Sequence, residues 1–307
     1  MQERNVIIGT DWWTDCDDVA AIRIACVMAK KGVWSLRGVV LNACMEYSAP
    51  SLDGFLRHEG LILSIGIDPE ANDFGGRPPY QERMARNCSP ALRNEDCESG
   101  VRLYRRLLSE SPDGTAEFIE IGYMQVLYAL LTSPPDDLSP LSGGELAGKK
   151  LRRVWMMAGN WKNDGKGREN NFCRNRRTSR AASKLPELLP CPLTLLGYEI
   201  GESVMTRPFP DFNDPLWLAF KDHGSEKGRC SWDPMLMLLA AEGPEKAGYS
   251  SVRGRVSVDP ESGENSFCRD PDGRHEYVIK TMPDCLYEQR IAEALEWSEK
   301  NQKTPGK

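Results

Sequence analysis

The run Asn5-Val6-Ile7-Ile8-Gly9-Thr10-Asp11-Trp12-Trp13-Thr14-Asp15-Cys16-Asp17-Asp18 decides how this chain is read. Val6–Ile8 is a short apolar stretch, the pattern of a buried strand. Four aspartates follow within eight residues. So many carboxylates repel one another unless a cation sits among them, and a hard divalent cation, Ca²⁺ or Mg²⁺, takes several oxygen ligands at once. A helical pattern starts at Val19, with Ala20, Ile24, Val27 and Met28 on one face. In an open α/β sheet the carboxyl end of a strand is where ligands bind. Helix capping accounts for Asp17 and Asp18, since Asp is favoured in a first turn, but not for Asp11 and Asp15. An EF-hand is excluded because the central Gly and terminal Glu are missing at the required spacing. Trp12-Trp13 after Asp11 disfavours the Asp-x-Asp of haloacid-dehalogenase phosphatases.

Outward from this run, strand-like and helix-like segments alternate. Leu36–Leu41, Phe118–Ile121, Leu151–Met157 and Leu193–Leu196 read as strands. Ser51–Ile65, Val126–Leu131, Ala181–Leu188 and the start at Asp233–Ala241 read as helices. Arg255–Val258 and Tyr277–Ile279 form a late β pair, and Ile291–Lys300 is a closing amphipathic helix. The alternation predicts a single-domain α/β fold over residues 1–307, an open, mainly parallel mixed sheet with helices on both faces. Ser133–Gly148 and Gly159–Gly167 read as loops, and 301–307 as a frayed tail.

The 307 residues carry a net charge of −6, which argues against nucleic acid as a partner. The short basic run Arg174–Arg180 reads as a solvated loop. Ten cysteines include no CxxC pair, so neither a zinc ribbon nor a disulfide framework is indicated. No leader-like start and no apolar stretch of the ~20 residues a membrane helix needs is seen. These features predict a reduced, cytoplasmic setting and no membrane partner.

Two further segments carry chemistry. Asn160-Trp161-Lys162-Asn163 through Glu169-Asn170-Asn171 offers carboxamides and a carboxylate suited to hydroxyl groups, because Asn both donates and accepts. Ser231-Trp232-Asp233-Pro234 opens an apolar helix and supplies a distant carboxylate that could complete a metal site.

With these three segments in order, the chain resembles the inosine–uridine-preferring nucleoside hydrolases. The motifs matched are Gly9-Thr10-Asp11…Asp17-Asp18, Met157-Ala158-Gly159…Asn163…Glu169-Asn170-Asn171 and Trp232-Asp233-Pro234, spread over about residues 5–240. The resemblance implies a Rossmann-like nucleoside hydrolase fold, a homodimer or homotetramer, and Ca²⁺-dependent hydrolysis of the N-glycosidic bond of a ribonucleoside or related ribosyl compound. It implies Asp11 as a Ca²⁺ ligand and as the base for the attacking water. Asp18, Asp233 and the main-chain carbonyl of Gln125 would be further ligands. Asp17, Asn163, Glu169 and Asn171 would hold the ribose hydroxyls, and Trp232, Trp12 or Trp13 could stack on the base. Base recognition falls to loops around Ala71–Arg86 and Lys221–Cys230.

The chain departs from the family pattern in three ways. Gly9 stands where the family has its first aspartate, Asp15 is an extra carboxylate, and Trp232 replaces a histidine that helps protonate the leaving base. None of His58, His223 and His275 is clearly positioned to replace it. These departures motivate an alternative, a non-catalytic ribose- or nucleoside-binding protein on the same scaffold. A Mg²⁺-dependent phosphohydrolase is a third reading, weakened by the lack of a Gly-rich phosphate loop.

Overall fold

In the computed structural model, which describes residues 4–297, the first strand lies inside a ten-stranded sheet. The strands are β1 (Asn5–Thr10), β2 (Ser35–Leu41), β3 (Ser64–Ile67), β4 (Glu98–Ser99), β5 (Ala116–Glu120), β6 (Leu151–Met157), β7 (Leu193–Leu196), β8 (Met205–Thr206), β9 (Arg229–Cys230), β10 (Tyr249–Val258), β11 (Asn265–Arg269) and β12 (His275–Lys280). The order across the sheet is β11-β10-β12-β7-β6-β5-β1-β2-β3-β4, with β8 and β9 forming a separate small antiparallel pair. Every pairing from β12 to β4 is parallel, and β10 and β11 add an antiparallel edge. The expected mixed, mainly parallel α/β sheet is therefore present.

Alternation along the strands divides the core in two. Val6, Ile8, Val39, Leu41, Ile119 and Met157 join one buried cluster, while Ile7, Val40, Phe118, Val154 and Met156 join the cluster on the other face. Both faces are covered by helices, so the central strands β1 and β5 are buried along their whole length rather than on one face only. The chain runs from β1 outward to β4, then returns to the other side of β1 with β5. The order reverses between β1 and β5, and such a switch point opens a crevice at the carboxyl ends of the strands.

The helix Asp17–Lys30 packs on this sheet beside the helix Asp233–Glu242, and it is buried through twelve of its fourteen residues. That explains its weak amphipathicity. Several expected boundaries move. The first helix starts at Asp17 rather than Val19. The segment Ser51–Ile65 is a helix ending at His58 followed by β3. The loop expected over Ser133–Gly148 contains a helix, Gly143–Lys150, held by a Ser142–Glu145 capping box. The closing helix is Asp284–Leu295. Residues 298–300 and the expected tail 301–307 lie outside the described residues. All ten cysteines are free thiols, and among the described residues no helix is long and apolar enough to cross a membrane.

Glu117 on β5 ties the strand to its surroundings. Arg4 Nε and Nη2 each donate to its carboxylate at 2.8 Å, as does Trp155 Nε1, while the Arg4 guanidinium also reaches the carbonyl oxygens of Ala240 and Ala241. Burial pushes the Glu117 carboxyl up, but the Arg4 and Trp155 hydrogen bonds outweigh it and leave it below its ordinary 4.5. A depressed carboxyl stabilises the fold above its unfolded value and loses that contribution as pH falls through the folded one. Glu117→Ala is predicted to cost about 3 kcal/mol or more, because the Arg4 charge loses its buried partner. Urea denaturation near neutral pH checks this, and the gap between variant and parent should shrink as the pH drops below 4.5.

Candidate active site

The site is built where two helix N-termini lie side by side above β1. Asp17 and Asp18 occupy the first turn of one helix, and Asp233 the first turn of the other. Carboxylates there face the positive ends of both helix dipoles. Their oxygens come within 4.8 Å of one another, and all three residues are buried. Asp17 Oδ2 accepts from the backbone N–H groups of both Trp232 and Asp233 at 3.3 Å, so the first helix caps the second. Asp18 Oδ1 accepts from the Thr10 hydroxyl and, at 3.2 Å, from the Trp12 backbone N–H. In each residue the other carboxylate oxygen makes no hydrogen bond within the described residues.

Asp11 reaches the same cavity because of a sharp turn at Trp12, whose φ is +40°. A bulky residue in this region carries strain of order 1–3 kcal/mol. The turn is held by Gln81, which donates to the Trp12 carbonyl, and by Ser51 Oγ, which accepts from the Trp12 indole N–H at 2.8 Å. Trp12 is thus a buried anchor packed on Phe55 and Tyr80, and not a base-stacking residue. Trp13 does line the cavity, backed by Phe74 and Tyr123, with the Arg174 guanidinium 4.4 Å from its ring centroid.

The cavity measures about 270 Å³. Six carboxylates line it: Asp11, Asp15, Asp17, Asp18, Glu169 and Asp233. Burial, reinforced by Asp17 and Asp15, pushes the Asp11 carboxyl up to about 8. Burial and mutual repulsion hold Asp17, Asp18 and Asp233 well above the ordinary range too. Without a cation this cluster has to carry protons. An oxygen-liganded divalent ion supplies the missing positive charge, and the uncommitted oxygen of Asp18 suits it. The donor set therefore fits Ca²⁺ or Mg²⁺.

On the facing wall, Glu169 accepts from the backbone N–H groups of Gly159 at 3.1 Å and Asn171 at 2.8 Å, and burial raises its carboxyl to about 7. Asn171 Nδ2 donates to the Met157 carbonyl at 2.9 Å, which fixes the amide and leaves its oxygen for a ligand. Asn170 also lines the cavity. Asn163 does not. It is exposed on the short helix Lys162–Gly165 with φ +53°, outside the wall formed by Asn170 and Asn171.

Gln125 also lies away from the cavity. Its side chain donates to the Asn42 carbonyl at 2.6 Å and to Asp68 at 3.2 Å. Ile121, one residue past the end of β5, is the main-chain position of this segment on the cavity wall. Gly122 must be glycine because a Cβ there would collide with the Asp11 backbone nitrogen and lie 2.6 Å from Asn42 Oδ1. The residue of this segment that lines the cavity is therefore four positions before Gln125.

Asp15 is drawn aside from the cluster. Arg229 Nε donates to its two oxygens at 2.9 and 3.2 Å, Nη2 donates as well, and the Cys16 backbone N–H bonds it at 2.7 Å. Arg229, on β9, lines the cavity and lies over the Trp232 ring, which stacks on Tyr198 with centroids 5.3 Å apart. Arg229 falls inside the Lys221–Cys230 loop expected at the base but was not singled out there, and Tyr198, at the start of the short helix Tyr198–Gly201, lies in no segment read for function. None of the three histidines lines the cavity.

The sequence matches no family model and no curated protein. Solved structures do match it over nearly their whole length. A plant nucleoside hydrolase, PpNRh1, superposes with a TM-score of 0.69 at 14% identity, covering 95% of this chain and 98% of that one. The fold is the nucleoside hydrolase fold. An inosine–guanosine nucleoside hydrolase gives a TM-score of 0.66 at 14% identity, covering 95% and 97% of the two chains. The type III effector protein XopQ, solved in complex with adenosine diphosphate ribose, gives 0.66 at 16% identity, covering 96% and 94%.

Gly9, the departure from the nucleoside hydrolase motif, has a local explanation. A Cβ at Gly9 would overlap the Glu120 carboxylate and lie 2.5 Å from the Tyr104 hydroxyl. Tyr104 donates to Glu120 at 2.7 Å, and burial raises Glu120 to about 7. The carboxylate missing from β1 is thus supplied to the same space by β5. Gly9→Asp is predicted to destabilise the protein by roughly 3 kcal/mol or more through a second buried charge. Gly9→Asp/Glu120→Gly should recover more than half of that in a urea titration; a double variant no better than the single one would contradict the exchange.

Proposed function

We propose that this protein hydrolyses the N-glycosidic bond of a ribonucleoside or related ribosyl compound with Ca²⁺ bound. One observation carries the reading: the three-carboxylate cluster and the Glu169–Asn171 wall converge on one cavity at the β1/β5 switch point. Asp11, Asp18 and Asp233 are the proposed side-chain ligands, with the Ile121 carbonyl as the main-chain one in place of that of Gln125. Bound calcium would acidify and position the attacking water.

Asp11 accepts the proton of that water. The water oxygen bonds C1′ and the C1′–N pair leaves with the base. The transition state is oxocarbenium-like, as in other glycoside hydrolysis, and a carboxylate-lined cavity stabilises its positive charge. Asp17, Glu169 and Asn171 hold the ribose hydroxyls, so that binding energy orients the sugar. Asn163 has no part in this arrangement.

The test uses p-nitrophenyl β-D-ribofuranoside, whose leaving group departs without protonation. Calcium-dependent release of p-nitrophenol is expected, abolished by chelation. Asp233→Ala should lower kcat/KM by roughly 10²- to 10³-fold with the circular dichroism spectrum intact. Normal turnover by Asp233→Ala would contradict the reading. A second reading, binding without turnover, is favoured by one observation: no histidine lines the cavity. It predicts calorimetric binding of ribose by protein that releases no p-nitrophenol.

A further inference from the structure

The cavity wall around Trp232 contains an arginine and no histidine. We propose, resting on the hydrolase reading above, that the cavity takes ribosyl compounds whose departing base carries an anionic group, and that Arg229 is the counter-ion that recognises it. Among the described residues, Arg229 is the one cationic side chain lining a cavity that six carboxylates otherwise dominate. An anion entering that cavity needs such a partner.

The guanidinium is fixed for the task. Its Nε and Nη2 are bound to Asp15, its face rests on Trp232 at 5.2 Å, and its Nη1 has no hydrogen-bond partner among the described residues. A planar fork held on one edge by a carboxylate presents its remaining donors in a set direction. The position is rigid in the chain as well. β9 pairs with β8, and four residues after Arg229 comes Asp233 of the carboxylate cluster. The Trp232–Tyr198 stack beside it offers flat area for a heteroaromatic base.

The histidines cannot substitute. His275 is bonded to Pro186 and Val256 away from the cavity, His58 is exposed, and His223 lies behind Asp15, 3.9 Å from it, with Nδ1 on Ser225. In the reaction the C1′–N pair stays with the departing nitrogen, the water oxygen bonds C1′, and the water proton passes to Asp11. A fixed guanidinium favours a base that leaves with negative charge, with no proton delivered to it.

Nicotinic acid riboside and nicotinamide riboside isolate this effect. They share one glycosidic bond and differ only in carboxylate against carboxamide, and neither pyridine needs protonation to leave. The parent enzyme should favour the acid by about ten-fold or more in kcat/KM, the scale of one charge-assisted hydrogen bond. Arg229→Gln should bring the ratio to one or below, and Arg229→Lys should fall between. Arg229→Gln/Asp15→Asn, which removes both charges, should also lack the preference. A ratio unchanged in Arg229→Gln, a parent preference for the amide, or equal loss on both ribosides would overturn the inference while leaving the hydrolase reading intact. Failure of the folded, calcium-loaded parent to cleave either riboside while it still releases p-nitrophenol from its riboside would overturn the inference alone; failure on all three substrates would overturn both.

Discussion

Two helices that begin with aspartates are packed with their N-termini together over the end of β1, and the rest of the site depends on that contact. Neither helix can present its carboxylates to bulk water, because both are buried along nearly their whole length against the sheet and each other. The dipoles and the N–H groups of Trp232 and Asp233 offset part of the repulsion. They do not offset all of it: burial first, and the neighbouring carboxylates second, still hold the three carboxyl groups well above their ordinary range. A cation is the economical way to discharge it, so fold stability and metal affinity are set by the same few side chains.

The surrounding structure serves to hold this arrangement. The strained turn at Trp12 delivers Asp11, with Ser51 and Gln81 fixing a residue that would otherwise relax. Gly122 lets β5 pass close behind it. The fifth aspartate of the region's charge balance, Asp15, is removed from the cluster by Arg229, which turns a surplus carboxylate into a clamp for a cation facing the cavity. A loss at one position of the motif, Gly9, is matched by a gain at Glu120 on the neighbouring strand.

Much of this was legible in the sequence. The apolar strand, the aspartates after it and the Glu169–Asn171 and Asp233 segments identified the sheet type and the cavity floor, because strand ends and helix first turns leave local signatures. What was not legible has a common cause. Asn163 and Gln125 were assigned by spacing within a motif, and a loop can shift which residue faces inward without changing the spacing. Tyr198 and Glu120 act through contacts between segments far apart in sequence, and Arg229, though inside the loop expected at the base, sits on a strand too short to show a period. Trp12 could be read either as a base-stacking or as a core tryptophan, because the backbone conformation that turns it into the core is not encoded by its type.

The measurement closest to the central claim is a crystal structure of the protein grown with calcium. The account predicts one ion held by oxygens of Asp11, Asp18 and Asp233 and by the Ile121 carbonyl, at about 2.3–2.6 Å, with Asp15 still on Arg229. An empty carboxylate cluster, or an ion bound instead beside Asp15, Cys16 and His223, would contradict it.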